Sequence, residues 1–483
     1  MNAGLSALFT DFYSLTMAQG YWKNRMNHRA VFEMFFRRHP FNGGFSIFAG
    51  LETLIECLKT FSFSQEDLAY LDSLHIFEEP FLDYLSTLRF SGSLWSVDEG
   101  TIVFPQEPLI RVESNLIEAQ IVEGIILNII NFQSLIATKT ARVWLASNKG
   151  SIMEFGLRRA QGINGAMAAS RAAFIGGAGG TSNVLAGKTY GIPVLGTMAH
   201  AWIMAFPSEE EAFRAYASLY PDRTVFLIDT YDTLKSGIRT AIKVGKELAA
   251  AGKTFGVRLD SGDMHYLSVE VRKLLDAAGF PQATITASND LDESIIETLT
   301  KAGAPINTWG VGTQMVTGGT DAAFTGVYKI AAKGQEGGSF IPTMKFSDNP
   351  EKTTTPGVKQ IWRIKDKEGL AVADVLSLED PEHPHALENG RRYTFWHPRA
   401  DYRHFYHIVE GSASTLLKQR LRGGAVLEPS PSLVSIQRHV QEELESFDQS
   451  YKRMLNPHIY KVSVTEELRR LKLELIKTCL GEL

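Results

Sequence analysis

The middle of the chain alternates short apolar runs with amphipathic stretches. Apolar runs recur at 152–155, 193–197, 225–229, 255–260, 284–288, 307–312 and 327–330. Between several of them lie segments with helical spacing of apolar positions, at 236–251, 267–278 and 291–302. The runs beginning at 225, 255, 284 and 307 are 23 to 30 residues apart. That is the size of a strand–helix unit, and strands alternating with helices predict a parallel sheet, open or closed into a barrel.

The flanks are patterned differently. The first 135 residues mix periods. A capped helix is expected at 11–21, an alternating strand at 30–37, helices at 45–60 and 65–74, and a strand pair across 94–111 broken by Gly100, Pro105 and Pro108. After about residue 345 the pattern loosens into a polar loop at 347–357, short strands, and two final helices near 431–454 and 465–478. The expected organisation is an N-terminal α/β domain at 1–135, a central α/β domain with a parallel sheet, open or closed, at 136–345, and a C-terminal accessory region at 346–483.

Composition narrows the function classes. Of 483 residues, 49 are Lys or Arg and 54 are Asp or Glu, giving a net charge of −5. No basic excess is available to cover a nucleic-acid backbone, so no nucleic-acid partner is expected. Apolar residues make up 44% and charged residues 21%, an ordinary globular mixture. Only Cys57 and Cys479 occur, which argues against a disulfide scaffold or thiolate zinc site and fits a reducing compartment. The most apolar stretch, 116–130, contains Glu118, Glu123 and Asn128 and reads as a buried helix rather than a membrane span of roughly 20 residues. A cytoplasmic protein without membrane association is the expectation.

Polar residues cluster where the central runs end. The run at 152–155 leads into Arg158, that at 193–197 into His200, that at 255–259 into Asp260 and Asp263, that at 284–287 into Ser288 and Asn289, and the last into Gly310, Gly312 and Thr313. Sites in parallel α/β folds are built at the carboxyl ends of strands, so these residues point to one composite site. Arginines offer paired donors to phosphate or carboxylate. Asp260 and Asp263 suit ribose hydroxyls or water-mediated Mg²⁺. Gly310-Val-Gly312 reads either as an anion-binding turn or as a plain turn, and Gly176-Gly-Ala-Gly-Gly180 as a flexible turn. Arg258 stands inside an apolar run and requires a partner or an anionic ligand. His265, at a helix start, reads as structural. The tail histidines His383, His385, His397, His404 and His407 lack clear ligand spacing and read as a solvated surface.

These residues fall into an ordered set of motifs that resembles the nicotinate phosphoribosyltransferases. The set comprises Thr10-Asp-Phe-Tyr13, Phe35-Phe-Arg-Arg38, Glu154-Phe-Gly-Leu-Arg158-Arg-Ala-Gln-Gly162, Thr181-Ser-Asn-Val, Gly196-Thr-Met-Ala-His200, Val257-Arg-Leu-Asp260-Ser-Gly-Asp263, Ser288-Asn289, Gly310-Val-Gly-Thr313, Gly326-Val-Tyr-Lys329 and Asp348-Asn-Pro-Glu-Lys352. The resemblance spans roughly residues 8 to 363. It implies a type II phosphoribosyltransferase, with an irregular α/β barrel beside an N-terminal α/β domain. It also implies transfer of phosphoribose from phosphoribosyl pyrophosphate to nicotinate, with coupled ATP hydrolysis through a phosphohistidine and with Mg²⁺. By motif position the phosphohistidine is His200. Tyr13, Thr197 and Arg258 match nicotinate-contacting positions, with Phe155 stacking on the ring. Arg158, Asp260, Ser288, Asn289, Gly310, Gly312 and Thr313 match the sugar-phosphate surface. No metal-contacting residue is assigned. The resemblance further implies a homodimer with shared active sites. One departure is Ala178-Gly179, where relatives usually carry an aromatic and an acid. The alternatives are a nicotinamide-specific phosphoribosyltransferase and, more distantly, a phosphate-binding barrel isomerase or aldolase using Glu154 or Lys329.

Overall fold

A computed structural model describes residues 6–334, 338–379, 387–400 and 402–481. His383 and His385 lie outside them. The described chain forms two compact units, one of 136–322 and one made of 1–135 together with 323–483.

The unit of 136–322 holds a six-stranded parallel sheet. Its strands are β1 (Ser151–Glu154), β2 (Gly180–Thr181), β3 (Val225–Leu227), β4 (Gly256–Leu259), β5 (Thr284–Ser288) and β6 (Thr308–Val311), in the spatial order β2-β1-β6-β5-β4-β3. They are short and apolar because helices cover them: Phe226, Leu227, Val257, Leu259, Ile285, Ala287 and Val311 are all buried. The helix Ile238–Ala250 shows the complementary pattern, burying Ile238, Ala241, Val244 and Leu248 at helical spacing. Asp263 accepts the Tyr266 N–H through Oδ1 at 2.9 Å and caps the helix Met264–Ala277, so one oxygen of this candidate for ribose or Mg²⁺ binding is engaged at the helix start.

The run at 193–197 forms only a bridge, Val194 to Thr181 of β2. Among the described residues no ladder joins this segment to β3 at the opposite end of the sheet. Side chains make that junction. The α/β barrel expected from the sequence is thus present in irregular form. The run at 327–330 does not belong to it. Residues Gly326–Gly334 form a strand pairing antiparallel with Arg29–Phe36, in the other unit.

That other unit contains a seven-stranded sheet. Its order is Phe340–Pro342, Gly326–Gly334, Arg29–Phe36, Ile110–Asn115, Ser93–Ser96, Lys418–Arg422 and Ala425–Val426. Arg29–Phe36 is buried at every position after the first rather than alternating, because strands flank it on both sides and side chains cover both faces. The segment expected as one helix at 45–60 begins as a strand, Ser46–Ile47, and becomes helical at Leu51–Lys59. A second, six-stranded sheet is built from residues 359–464. In this unit Arg363 donates to Asp374 and Glu443, each at 2.7 Å, and to the Ile102 carbonyl, tying the C-terminal sheet to the N-terminal segment. The apolar stretch Leu116–Ala146 has the length and composition of a membrane span, and 67% of its apolar window is buried within the protein.

Candidate active site

All six strands of the 136–322 unit run parallel, so their carboxyl ends share one edge. Arg258 occupies β4, opposite Leu227 of β3 and Thr286 of β5. Its Nη1 donates to Thr197 Oγ1 and, at 3.2 Å, to the Met198 carbonyl. Its Nη2 lies 3.8 Å from Asp260. Burial pulls the guanidinium below its usual range, and nearby Arg158 pushes the same way, against the pull of Asp260 and Asp229. The Arg258 Nε–H is buried without an acceptor among the described residues. An anionic ligand is the complement such a donor needs.

His200 opens a short helix, His200–Met204. Its Nδ1 is 3.0 Å from Thr230 Oγ1, just beyond β3, and its Nε2 is 3.6 Å from Asp260 Oδ2. These contacts and the Arg258–Thr197 bond bring the Val194 segment to the β3 and β4 ends, where no backbone ladder does. Asp260 in turn accepts from Ser288 Oγ through Oδ1, and its own N–H donates to Asp229 Oδ2 at 3.0 Å. Asp229 also accepts from Ser261 Oγ at 2.6 Å, while its Oδ1 is buried with no protein donor among the described residues. Asn289 follows with φ 85°, a left-handed conformation that turns the chain sharply out of β5.

Phe155 sits at the end of β1, its N–H bonded to the Val311 carbonyl at 2.9 Å. A side chain at Gly310 would come within 2.7 Å of the Phe155 ring, so the ring rests on a bare backbone. Gly310 therefore lies within β6, not in a turn, and the chain leaves the strand only at Gly312 and Thr313. Arg158 is exposed on the turn after Phe155.

The structure thus gathers Phe155, Arg158, Thr197, His200, Arg258, Asp260, Ser288, Asn289, Gly310, Gly312 and Thr313 on one sheet edge. Tyr13 belongs to the other unit. It is half exposed on the helix Phe12–Lys23, and partial burial with the neighbouring Glu123 carboxylate raises its phenol to about 12. Asp11, expected to cap this helix, makes no side-chain cap bond. Asp229 and Thr230 were not singled out in the sequence. Their signal was the same as for the other sites, a polar pair ending an apolar run. The glycine-rich stretch is a correction. A Cβ at Gly176 would meet the Ala137 carbonyl at 2.4 Å, and one at Gly180 the Pro193 carbonyl at 2.5 Å. It is a tightly packed connection, not a flexible turn. Lys329, a candidate for the isomerase reading, stands in the antiparallel sheet of the other unit and Glu154 in this one.

Similarity to known proteins accords with this geometry. Sequence models of the nicotinate phosphoribosyltransferase N-terminal domain, family and C-terminal domain match residues 8–131, 151–371 and 358–472. Nicotinate phosphoribosyltransferase of Bacillus subtilis is 42% identical over 463 residues, covering 95% of this chain and 93% of that protein. The protein of the same name from Homo sapiens is 32% identical, covering 97% and 96%. The crystal structure of human nicotinic acid phosphoribosyltransferase superposes with a TM-score of 0.84 at 29% identity, covering 96% of this chain and 99% of that one.

Proposed function

The chain belongs to the nicotinate phosphoribosyltransferase family, and from that premise we propose that the strand-edge residues form nicotinate mononucleotide and couple this to ATP hydrolysis through a phosphohistidine at His200. As an enzyme of this type it takes nicotinate and phosphoribosyl pyrophosphate as substrates and serves NAD biosynthesis. The observation that carries the rest is the Arg258–Asp260–His200 chain of contacts at one edge.

Pyrophosphate leaves C1 of the ribose as the pyridine nitrogen attacks, so positioning and charge stabilisation dominate and no side chain need attack the sugar. Phe155 offers an aromatic face to the flat ring. Arg258, with its unpartnered Nε–H, selects the nicotinate carboxylate, and Thr197 holds the guanidinium in place. Arg158, Ser288, Asn289, Gly310, Gly312 and Thr313 form the sugar-phosphate surface, and Asp260 accepts from ribose. In the phosphorylation step an imidazole nitrogen of His200 attacks the γ-phosphorus of ATP and ADP leaves. A ring that donates Nδ1–H to Thr230 keeps its lone pair on Nε2 for that attack.

Mg²⁺ fits this edge. Such ions take one or two carboxylates and fill their remaining positions with water and substrate phosphate. Asp229, with its unbonded Oδ1, and Asp260 are the residues to hold it. When bound it neutralises charge on the leaving pyrophosphate.

The enzyme acts in the cytoplasm as a homodimer. On the N-terminal helix Leu15 and Ala18 are buried while Phe12, Tyr13 and Met17 are exposed, an aromatic face suited to closing a partner's site. The test is product formation from nicotinate and from nicotinamide with phosphoribosyl pyrophosphate, with and without ATP. Nicotinate preference with ATP stimulation is expected. Incubation with γ-labelled ATP should give acid-labile label on the wild-type protein. Label persisting in His200→Ala would remove His200 from the mechanism.

A further inference from the structure

Glu154 has no role in the mechanism above, yet it is 1% exposed and lies directly before Phe155. Three donors converge on its side chain. The Gly156 N–H and the Thr181 hydroxyl donate to Oε1 and Oε2 respectively, and the Ser170 hydroxyl donates to Oε2 at 2.9 Å. Its backbone carbonyl accepts the Ser182 N–H at 2.9 Å. The hub extends one step further: Asn183 donates its N–H to Thr181 Oγ1 at 2.9 Å and its Nδ2–H to Ser170 Oγ at 3.3 Å. A carboxylate is acceptor-only, so it can receive every one of these protons, whereas an amide would turn an NH₂ toward at least one of the donors.

What this hub holds is the turn. Phe155 is pinned by its N–H to Val311, but from Gly156 onward the backbone leaves the sheet. The Gly156 carbonyl accepts from Arg159 at 2.8 Å and Ala160 at 3.1 Å, closing the turn that presents Arg158. Gly156 can do so only without a side chain, since a Cβ would lie 2.1 Å from Val316. Its N–H is the first free backbone donor after the strand, and Glu154 takes it.

We propose that Glu154 is a positioning residue for the transferase. Its carboxylate locks the turn carrying Phe155 and Arg158 to Thr181 and Ser170, and so sets the grip on phosphoribosyl pyrophosphate. This rests on the reading that Arg158 contacts the sugar phosphate. The experiment compares full-length Glu154→Gln, Thr181→Val, Thr181→Ser and Arg158→Ala by steady-state kinetics and thermal melting. Weakening the charge-assisted Arg158 contact should raise the phosphoribosyl pyrophosphate KM about ten- to a hundredfold. Glu154→Gln and Thr181→Val should both show this with kcat nearly unchanged, and Thr181→Ser, which keeps the hydroxyl, should restore the wild-type KM. If Arg158→Ala raises that KM but neither Glu154→Gln nor Thr181→Val does, the positioning role is wrong. If Arg158→Ala leaves it unchanged, the assignment of the turn to the sugar phosphate is wrong. A general loss of melting temperature with no selective KM change would mark the hub as structural only. Should Glu154→Gln fail to fold, the Thr181 pair decides.

Discussion

Arg258 links the charge argument to a measurement. A charge-assisted hydrogen bond contributes about 1.5–3 kcal/mol, so Arg258→Ala should raise the nicotinate KM about ten- to a hundredfold and compress the preference over nicotinamide. Equal use of both substrates by the wild-type enzyme would end the charge-selection account. Tyr13 makes a pH prediction. Its phenol is raised to about 12, so the neutral form is favoured in the folded state. The stability this reflects is present below pH 10, the unfolded value, and is lost as pH climbs toward 12. Tyr13→Phe should flatten that alkaline loss in denaturation midpoints recorded across the window. An unchanged slope would show that other groups govern it. Residues at strand ends were readable because their chemistry stands next to the apolar run that places them. Asp229 and Thr230 carried that same signal at the end of the run at 225–229, but what they do there, bonding Asp260 and His200 some 30 residues away, is visible only at the folded sheet edge.

Among elements, the glycine-rich connection before β2 is the sharpest case of local pattern misleading. Clustered glycines mark mobility when nothing else is near, but here they mark close approach. The positions are not equivalent. At Gly179 the nearest atom to an added Cβ is the Ile152 carbonyl at 3.6 Å, an ordinary contact, whereas at Gly180 the methyl would strike the Pro193 carbonyl. Gly179→Ala should therefore melt within a degree or two of wild type, and Gly180→Ala well below it, as followed by circular dichroism. The reverse order would contradict the packing. Strand spacing was a good guide to β3 through β6, since each strand–helix unit is closed locally. The run at 327–330 fell outside that spacing, and as Gly326–Gly334 it pairs with Arg29–Phe36, far back in the chain. Antiparallel pairing over such a distance leaves no periodic trace.

For the whole molecule, the shared-site proposal predicts complementation. Inactive Tyr13→Ala and His200→Ala chains, mixed under conditions that allow subunit exchange, should regain activity, because a heterodimer holds one site with both wild-type residues. No recovery despite demonstrated exchange would mean that each chain completes its own site. The division of the chain also differs from three successive domains. Residues 346–483 and 1–135 make one unit, and the 136–322 unit interrupts it. No composition shift announces this, because the bonds that join the two ends, such as Arg363 to the Ile102 carbonyl, are buried and isolated in sequence.

That interruption has a consequence for biosynthesis. Strand Arg29–Phe36 can pair early with Ile110–Asn115, but its other edge waits for Gly326–Gly334. At about 5–20 residues per second on the ribosome, the wait lasts on the order of 15 seconds to a minute. Throughout it the nascent chain carries an apolar strand with an open edge, while the 136–322 segment emerges and can close its own sheet. The first unit to begin synthesis is thus the last to finish folding, and its sheet stays open to aggregation through most of translation, the Ser93–Ser96 edge waiting longer still for Lys418–Arg422.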